Sequence, residues 1–340
     1  VLHKGELLNL QLEMYTVRGK YFEALQIGRS ALDLFSLALP ESYNMQFIER
    51  EHKKLERLFH EKGTIEDIQK SKNETNNLII KILNTMTIPA SLVDYYLFKL
   101  LILKAIMYII NNGITKNSAV SILNYGFLLG PVWSSFQDGN NLGDYALSLC
   151  LELNDKYNES YIYERLNFIK LWNMHLLQNE PLNKKGFISG IESGNLFIAG
   201  KILVNMAINK YFIGTKLSEI LKDLDEAHIF NMKIKNNVMI ATIRAFYVAI
   251  TMLMNNQEKP QDNSFTKEDY TEEYFFNQFN QNQDFLLQCH YFILKMKIQF
   301  LLHNAEEAYL ISELIAKHIH VISGYYHISA IENDTFVGLG

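Results

Sequence analysis

The stretch Leu8-Asn9-Leu10-Gln11-Leu12-Glu13-Met14-Tyr15-Thr16-Val17-Arg18-Gly19-Lys20-Tyr21-Phe22-Glu23-Ala24-Leu25 decides the fold. At helical spacing Leu8, Leu12 and Tyr15 share one face. Arg18-Gly19 interrupts the run with turn chemistry, and a second helical run opens at Tyr21. The alternation of large and small residues then predicts how the two helices meet. Ala24 sits where they cross, because only a small side chain admits a close neighbour. Tyr15 and Tyr21 fill the space beside it. Ala31 lets the next helix dock, and Pro40 closes the unit.

Outward from this unit the helical period persists. Leu142, Tyr145, Ala146, Leu149 and Leu153 form one stripe, and Leu217, Ile220, Leu221, Leu224 and Ala227 another. Breaks are short: Glu61-Lys62-Gly63, Asn111-Asn112-Gly113, Gly130-Pro131 and Ser193-Gly194. Thr64 precedes Asp67 at capping-box spacing, and Ser264 opens a run with Glu268 in its first turn. Asn304-Ala305-Glu306-Glu307-Ala308 repeats the turn into a second helix, with Ala308 at the crossing. Only 5 prolines and 17 glycines occur in 340 residues, which favours long helices over a loop-rich β fold. The reading is all-α, roughly a dozen to fifteen helices. They are expected as an α-solenoid of stacked antiparallel pairs on the tetratricopeptide-like pattern, with a right-handed superhelical curve. A single array over 1–340 is expected, with sub-blocks 1–180, 181–258 and 264–340. The polar stretch 255–263, with Pro260, and the stretch 179–185, with Pro181, mark the joints.

Charge and composition remove several classes. The net charge of −5, from 32 basic and 37 acidic residues, argues against a nucleic-acid binder, whose affinity rests on basic charge. Cys150 and Cys289 lie in apolar helical runs outside any CxxC, so buried thiols are expected rather than a zinc or redox site. The runs Leu92–Ile110 and Val238–Met254 are apolar but contain Asp94, Lys99 and Lys104, and Arg244. A charge at a bilayer centre costs about 2.5–3.5 kcal/mol, so both are expected as buried helices and not as membrane insertions. The chain opens at Val1 without a signal peptide, and is expected to be a piece of a longer cytoplasmic protein.

The segments Gly19 to Leu25 with Leu39-Pro40, Ser118-Ala119-Val120 through Tyr125-Gly126, Gly139, Gly143 with Ala146 to Leu149, and Gly194-Asn195-Leu196 carry a resemblance. In their order they resemble the tetratricopeptide-like helical region of large multidomain signalling proteins. Such proteins join a serine/threonine-kinase-like domain, a STAND-type ATPase and often GAF and sensor histidine-kinase modules. The resemblance covers nearly the whole chain and rests on scaffold residues. It implies a regulatory, interaction-mediating role with protein partners, including flanking domains of the same polypeptide. It brings no chemistry, because HRD, DFG and the phospho-accepting histidine motif are all missing.

The catalytic and binding patterns fail one by one. Gly194 to Lys201 departs from a P-loop in its glycine spacing, and Ile202 stands where Mg²⁺ needs a hydroxyl. Gly200 is therefore expected as a helix–helix contact. His318 and His320 point about 200° apart on a helix and cannot chelate together. The acids Asp223, Asp225 and Glu226 lack the spacing of an acidic Mg²⁺ motif. No catalytic, cofactor or metal residue is assigned. The aromatic–glycine group Tyr125, Gly126, Trp133, Phe136 and Gly139, with Phe127 and Gly130, is expected as a structural corner or a ligand pocket. Arg244 is expected to pair with Asp225 across a hairpin turning near Lys235. The leading functional expectation is a non-catalytic scaffold. A small-molecule effector-sensing domain and a stand-alone helical enzyme are the alternatives.

Overall fold

The structure is a computed structural model and describes residues 1–254 and 285–316, with side chains given for 1–254 and 291–315. The expected loop at Pro260, the cap at Ser264, the side chain of Cys289 and the pair His318 and His320 lie outside the described residues. The described residues form fourteen α-helices and no strand. One isolated bridge joins Lys70 to Ile114.

The chain divides into two compact units, Val1–Asn158 and Glu159–Gly340. The division falls in the first turn of a helix, Lys156–Lys170, and not at Pro181. Pro181 instead occupies the first turn of its own helix, Glu180–Ser193, where the missing N–H has no intrahelical partner to lose.

The first unit holds α1 (Leu2–Val17), α2 (Tyr21–Asp33), α3 (Met45–Lys62), α4 (Glu74–Val93), α5 (Tyr95–Asn112), α6 (Ser118–Trp133) and α7 (Phe136–Glu152). Polar side chains start several of these. Asn44, Asn73 and Asp94 each accept a hydrogen bond from the backbone N–H three residues on, satisfying a donor that the helix cannot. Gly19, Gly63 and Gly113 end helices with φ of 73°, 86° and 94°, a region that disfavours other residues. The expected box at Thr64 is formed, with Asp67 returning to the Thr64 backbone, but it caps a single 3₁₀ turn, Ile65–Asp67.

Two expected breaks shift. α2 stops at Asp33, before Pro40, and Ser36 turns the chain at φ 57°. Gly130-Pro131 does not end a helix. Pro131 lies inside α6, two residues before its last residue Trp133, and the left-handed residue is Ser134. Ala24 and Ala31 are fully buried, while Tyr15 and Tyr21 are half-buried. α1 packs on α2, and both pack on α4. Gly28, between the two alanines, admits the Met86 side chain of α4, whose atoms lie 2.5 Å from where a Cβ would stand. α3 packs on α5, so neighbours in sequence are not always neighbours in space.

The second unit contains α8 (Lys156–Lys170), α9 (Glu180–Ser193), α10 (Leu196–Phe212), α11 (Leu217–Lys233), α12 (Asn237–Leu253), α13 (Phe285–Leu301) and α14 (Ala305–Ala316). From α9 to α12 each helix packs on the next, and the succession resumes from α12 through α13 to α14. Leu224 and Ala227 of α11 meet Ile243 and Phe246 of α12 and Leu294 and Ile298 of α13 in one apolar core. Ala308 is buried against Ile293 and Met296, the crossing expected for it. Gly200 faces Asn231 of α11, whose Oδ1 fills the space that a Cβ would take, so it is a helix–helix contact. No helix among the described residues is long and apolar enough to cross a membrane.

Replacing Ala24 with Leu adds three carbons at a fully buried position. The expected cost is about 1–3 kcal/mol, read as a lower midpoint of thermal unfolding followed by circular dichroism. An unchanged midpoint would show that Ala24 does not limit the crossing.

Candidate functional site

The aromatic–glycine corner is a built feature of the first unit. Where α6 crosses α7, Gly126 and Gly139 lie backbone to backbone: a Cβ on Gly139 would stand 2.5 Å from the Gly126 carbonyl oxygen. Gly130 is required because the Phe136 ring occupies the space of its Cβ, at 2.6 Å. Tyr125 and Phe127 are buried, and Trp133 and Phe136 half-buried.

A residue that sequence reading passed over completes the corner. His52 of α3 stacks on Trp133 with ring centroids 3.8 Å apart and planes 8° from parallel. Its Nε2 lies 3.2 Å from the Tyr125 hydroxyl. Its Nδ1 lies 3.9 Å from Glu56 on the same helix. Burial lowers the His52 pKa and Glu56 opposes it. Burial, with Glu56 and Asp138 adding to it, raises the Tyr125 pKa. The phenol therefore stays protonated and suits a neutral imidazole as acceptor. The group is packed, with rings in contact, and works as a joint between α3, α6 and α7.

Charges cluster on the α3–α5 side of the same unit. Glu51, almost fully buried, takes Lys54 at 2.5 Å and Lys104 of α5 at 2.9 Å, and the two lysines outweigh burial to lower its pKa. Lys99 is buried over the Tyr95 ring at 4.3 Å, with its Nζ 3.7 Å from Met45 Sδ. Burial pushes its pKa down to about 8. Beside these an open groove of about 360 Å³ is lined by Ser42, Tyr43, Asn44, Gln46, Phe47 and Arg50. The Tyr43 hydroxyl donates to Asp94, and Arg29 donates to that hydroxyl at 3.3 Å. Burial and Asp94 raise the Tyr43 pKa to about 12, so this phenol is no base at neutral pH.

The second unit encloses a polar ladder. On α10, Lys201, Asn205 and Asn209 recur every four residues, one helical face. Lys201 Nζ lies 3.0 Å from the fully buried Glu164 of α8, and Asn205 Nδ2 donates to that carboxylate at 3.3 Å. One turn on, Asn167 Oδ1 accepts from Asn183 and from Asn209, each at 3.2 Å, while its carbonyl accepts from Asn179 at 3.0 Å. Burial lowers the Lys201 pKa, and Glu164 opposes the shift. The four-residue spacing on α10 was the signal that could have exposed this ladder in the sequence.

The expected pair between Arg244 and Asp225 is corrected. The chain does reverse at Lys235, which has φ 57°. Counting back across that turn fixes the level along the helix but not the face. Ile220, Leu221, Leu224 and Ala227 form the contact face of α11, and Asp225 lies about 100° round from Leu224. Its Oδ1 is buried with no hydrogen-bond partner, and burial raises its pKa without a cation to lower it. The acid of this helix that takes a cation is Asp223, 2.5 Å from Lys210 of α10.

One end of the α9–α12 layer exposes large apolar side chains, interspersed with the exposed charges of Glu192, Lys233 and Lys235. Ile188, Ile191, Leu196 and Phe197 surround the α9–α10 turn, and Ile229, Met232 and Val238 the α11–α12 turn. The two turns are tied at the same end by Asn236 Nδ2, which reaches the Phe197 carbonyl at 3.5 Å, and by Asn231 Nδ2, 3.1 Å from the Gly200 carbonyl. Among the described residues no three His, Cys, Asp or Glu side chains converge as metal ligands. Cys150 is buried and donates to the Asp155 carbonyl at 3.3 Å. The sequence matches no family model and no curated protein.

Lys201→Met should destabilise the second unit by about 3–5 kcal/mol, because it strips a cation from a fully buried carboxylate. Joining it to Glu164→Leu should recover much of that loss, and chemical denaturation of both variants checks it. His52 supplies a pH signature. Its folded pKa lies below its ordinary 6.5, so the unfolded chain binds more protons as pH falls through that value. The stability that the neutral ring contributes is complete above 6.5 and is lost progressively below it. His52→Phe, which keeps a ring on Trp133, should flatten the fall of the thermal midpoint between about pH 7 and pH 5.

Proposed function

We propose that the chain is a non-catalytic interaction module, a helical repeat array serving protein–protein or interdomain contacts within a larger cytoplasmic signalling ATPase or kinase. The observation that carries this reading is the apolar end of the α9–α12 layer. Seven large apolar side chains stand exposed around two adjoining turns that hydrogen bonds hold together. Exposed apolar patches of this kind mark interaction surfaces. A firm backbone beneath them lowers the ordering cost on binding.

The serial packing from α9 to α12 and from α12 to α14 supports a solenoid of stacked antiparallel pairs. The right-handed curve belongs to the tetratricopeptide-like pattern that the sequence resembles. In that arrangement the partner is a protein segment, chiefly a flanking domain of the same polypeptide. The net charge of −5 argues against nucleic acid in that role. The alternative of an effector-sensing domain draws on the groove over residues 42–50. Its polar lining gives an apolar effector little to bury against, whereas ligand sites are mostly apolar with few polar groups.

The test is a binding titration of this chain against each domain adjoining it in the full-length polypeptide. Phe197→Glu combined with Met232→Glu should weaken binding about tenfold or more, the effect of losing central apolar anchors. Both positions are exposed, so the thermal midpoint should hold. Equal binding by the variant, or no binding by either neighbour, would refute the assignment.

A further inference from the structure

The outer face of α1 carries a second apolar seam, separate from the apolar end of the second unit, so its test is independent of the proposal above. Leu7, Leu10, Met14 and Val17 are 62%, 56%, 43% and 88% exposed. Their spacing of three, four and three residues places them at alternating a and d positions of a heptad, with His3 at the preceding d. The opposite face, Gly5, Asn9 and Leu12, is buried in the unit's own packing. α1 thus uses one face for its fold and presents a coiled-coil face outward.

The flanks of the seam select an occupant. One flank, the g positions, carries Glu6 and Glu13. The other, the e positions, carries Lys4, Gln11 and Arg18. Lys4, Glu6, Gln11 and Arg18 are exposed. Glu13 lies 3.4 Å from Lys81 of α4 and keeps part of its carboxylate side open to solvent. When two copies of α1 run parallel, each g position meets the e position five residues on in its partner. Glu13 then meets Arg18, and Glu6 meets Gln11. In an antiparallel pair g meets g and e meets e. With Leu10 set against Met14, Glu13 would face Glu13 of the second copy and Lys4 would face Arg18, so both of these contacts would be repulsive.

We propose that this face of α1 is a self-association surface, on which a second copy of the chain docks its own α1 in parallel across a two-fold axis. The seam spans only two heptads and falls below the ~1,200 Å² of a standard-sized protein interface. The dimer is therefore weak and reversible, forming at micromolar concentrations and above.

Sedimentation of the full chain from low micromolar to several hundred micromolar should show the mass rising from monomer towards dimer. Leu10→Glu should weaken association about tenfold or more, with an unchanged circular dichroism spectrum. Orientation is read by oxidative cross-linking. Leu7→Cys and Met14→Cys should each form disulfide-linked dimers, since a parallel pair sets each a position against itself; the parent chain, with its native thiols, is the control. A chain that stays monomeric over the whole range overturns the proposal, as does association indifferent to Leu10→Glu. Cross-linking that needs Leu10→Cys mixed with Met14→Cys shows an antiparallel pair and overturns it equally.

Discussion

The distance of approach between helices controls this structure. Where α6 meets α7, the carbonyl of Gly126 occupies the volume in which any other residue at position 139 would place its Cβ. The same constraint recurs at Gly28 against Met86 and at Gly200 against Asn231. Helices ordinarily pack with axes about 8–10 Å apart. The small residues let particular pairs come closer and fix where along each helix they do so. The aromatic rings then follow from the glycines. Phe136 fits because Gly130 has no side chain, and Tyr125 and Trp133 are left to meet His52 of α3.

Apolar packing of this kind is permissive about register, because a leucine stripe one turn up or down is still a leucine stripe. Buried polar contacts supply the missing constraint in both units. In the first, Glu51 ties α3 to Lys104 of α5, although α4 intervenes in sequence. In the second, Glu164 and Asn167 of α8 engage Lys201, Asn205 and Asn209 of α10 at matching levels. A slip of one turn along either helix would leave these groups buried without their partners, at several kcal/mol for the charges alone. The polar ladders thus restrict which helices pair and at what height, while the apolar contacts supply the bulk of the stabilisation.

This division of labour explains what was legible in the sequence. Helix positions were, because the apolar period and the residues at Gly19, Gly63, Gly113, Gly194 and Lys235 are local signals, and these residues take the left-handed turn conformation. The burial of Ala24, Ala31 and Ala308 was legible from size alone. Non-local pairing was not. Nothing near His52 in sequence announces Trp133, 81 residues on, as a stacking partner, since that contact exists only once α3 has skipped α4 and packed on α5. The Arg244 pairing failed for a related reason. Counting back from a turn gives height along a helix, and height without azimuth put Asp225 beside the contact face of α11 instead of on it.

The exposed apolar residues are the part of the structure that the fold does not need. A helix that buries one face against its neighbours normally turns charge and amide towards water. α3 does so: Glu49, Arg50, Lys53 and Lys54 stand outside while Ile48, Glu51, His52 and Leu55 face inward. α1 instead exposes leucine, methionine and valine in a regular seam. The α9–α12 layer likewise exposes isoleucine, phenylalanine and methionine around two adjoining turns. At about 25 cal/mol per Å² such side chains, most of them about half exposed, forgo on the order of 1 kcal/mol each that full burial would return. Neither patch can collapse inward, because each helix already has its inner face filled: α1 with Leu12, α11 with Leu224 and Ala227. The unrealised free energy is available to whatever packs on these faces from beyond the described residues. That is the physical basis for proposing both surfaces as places of assembly.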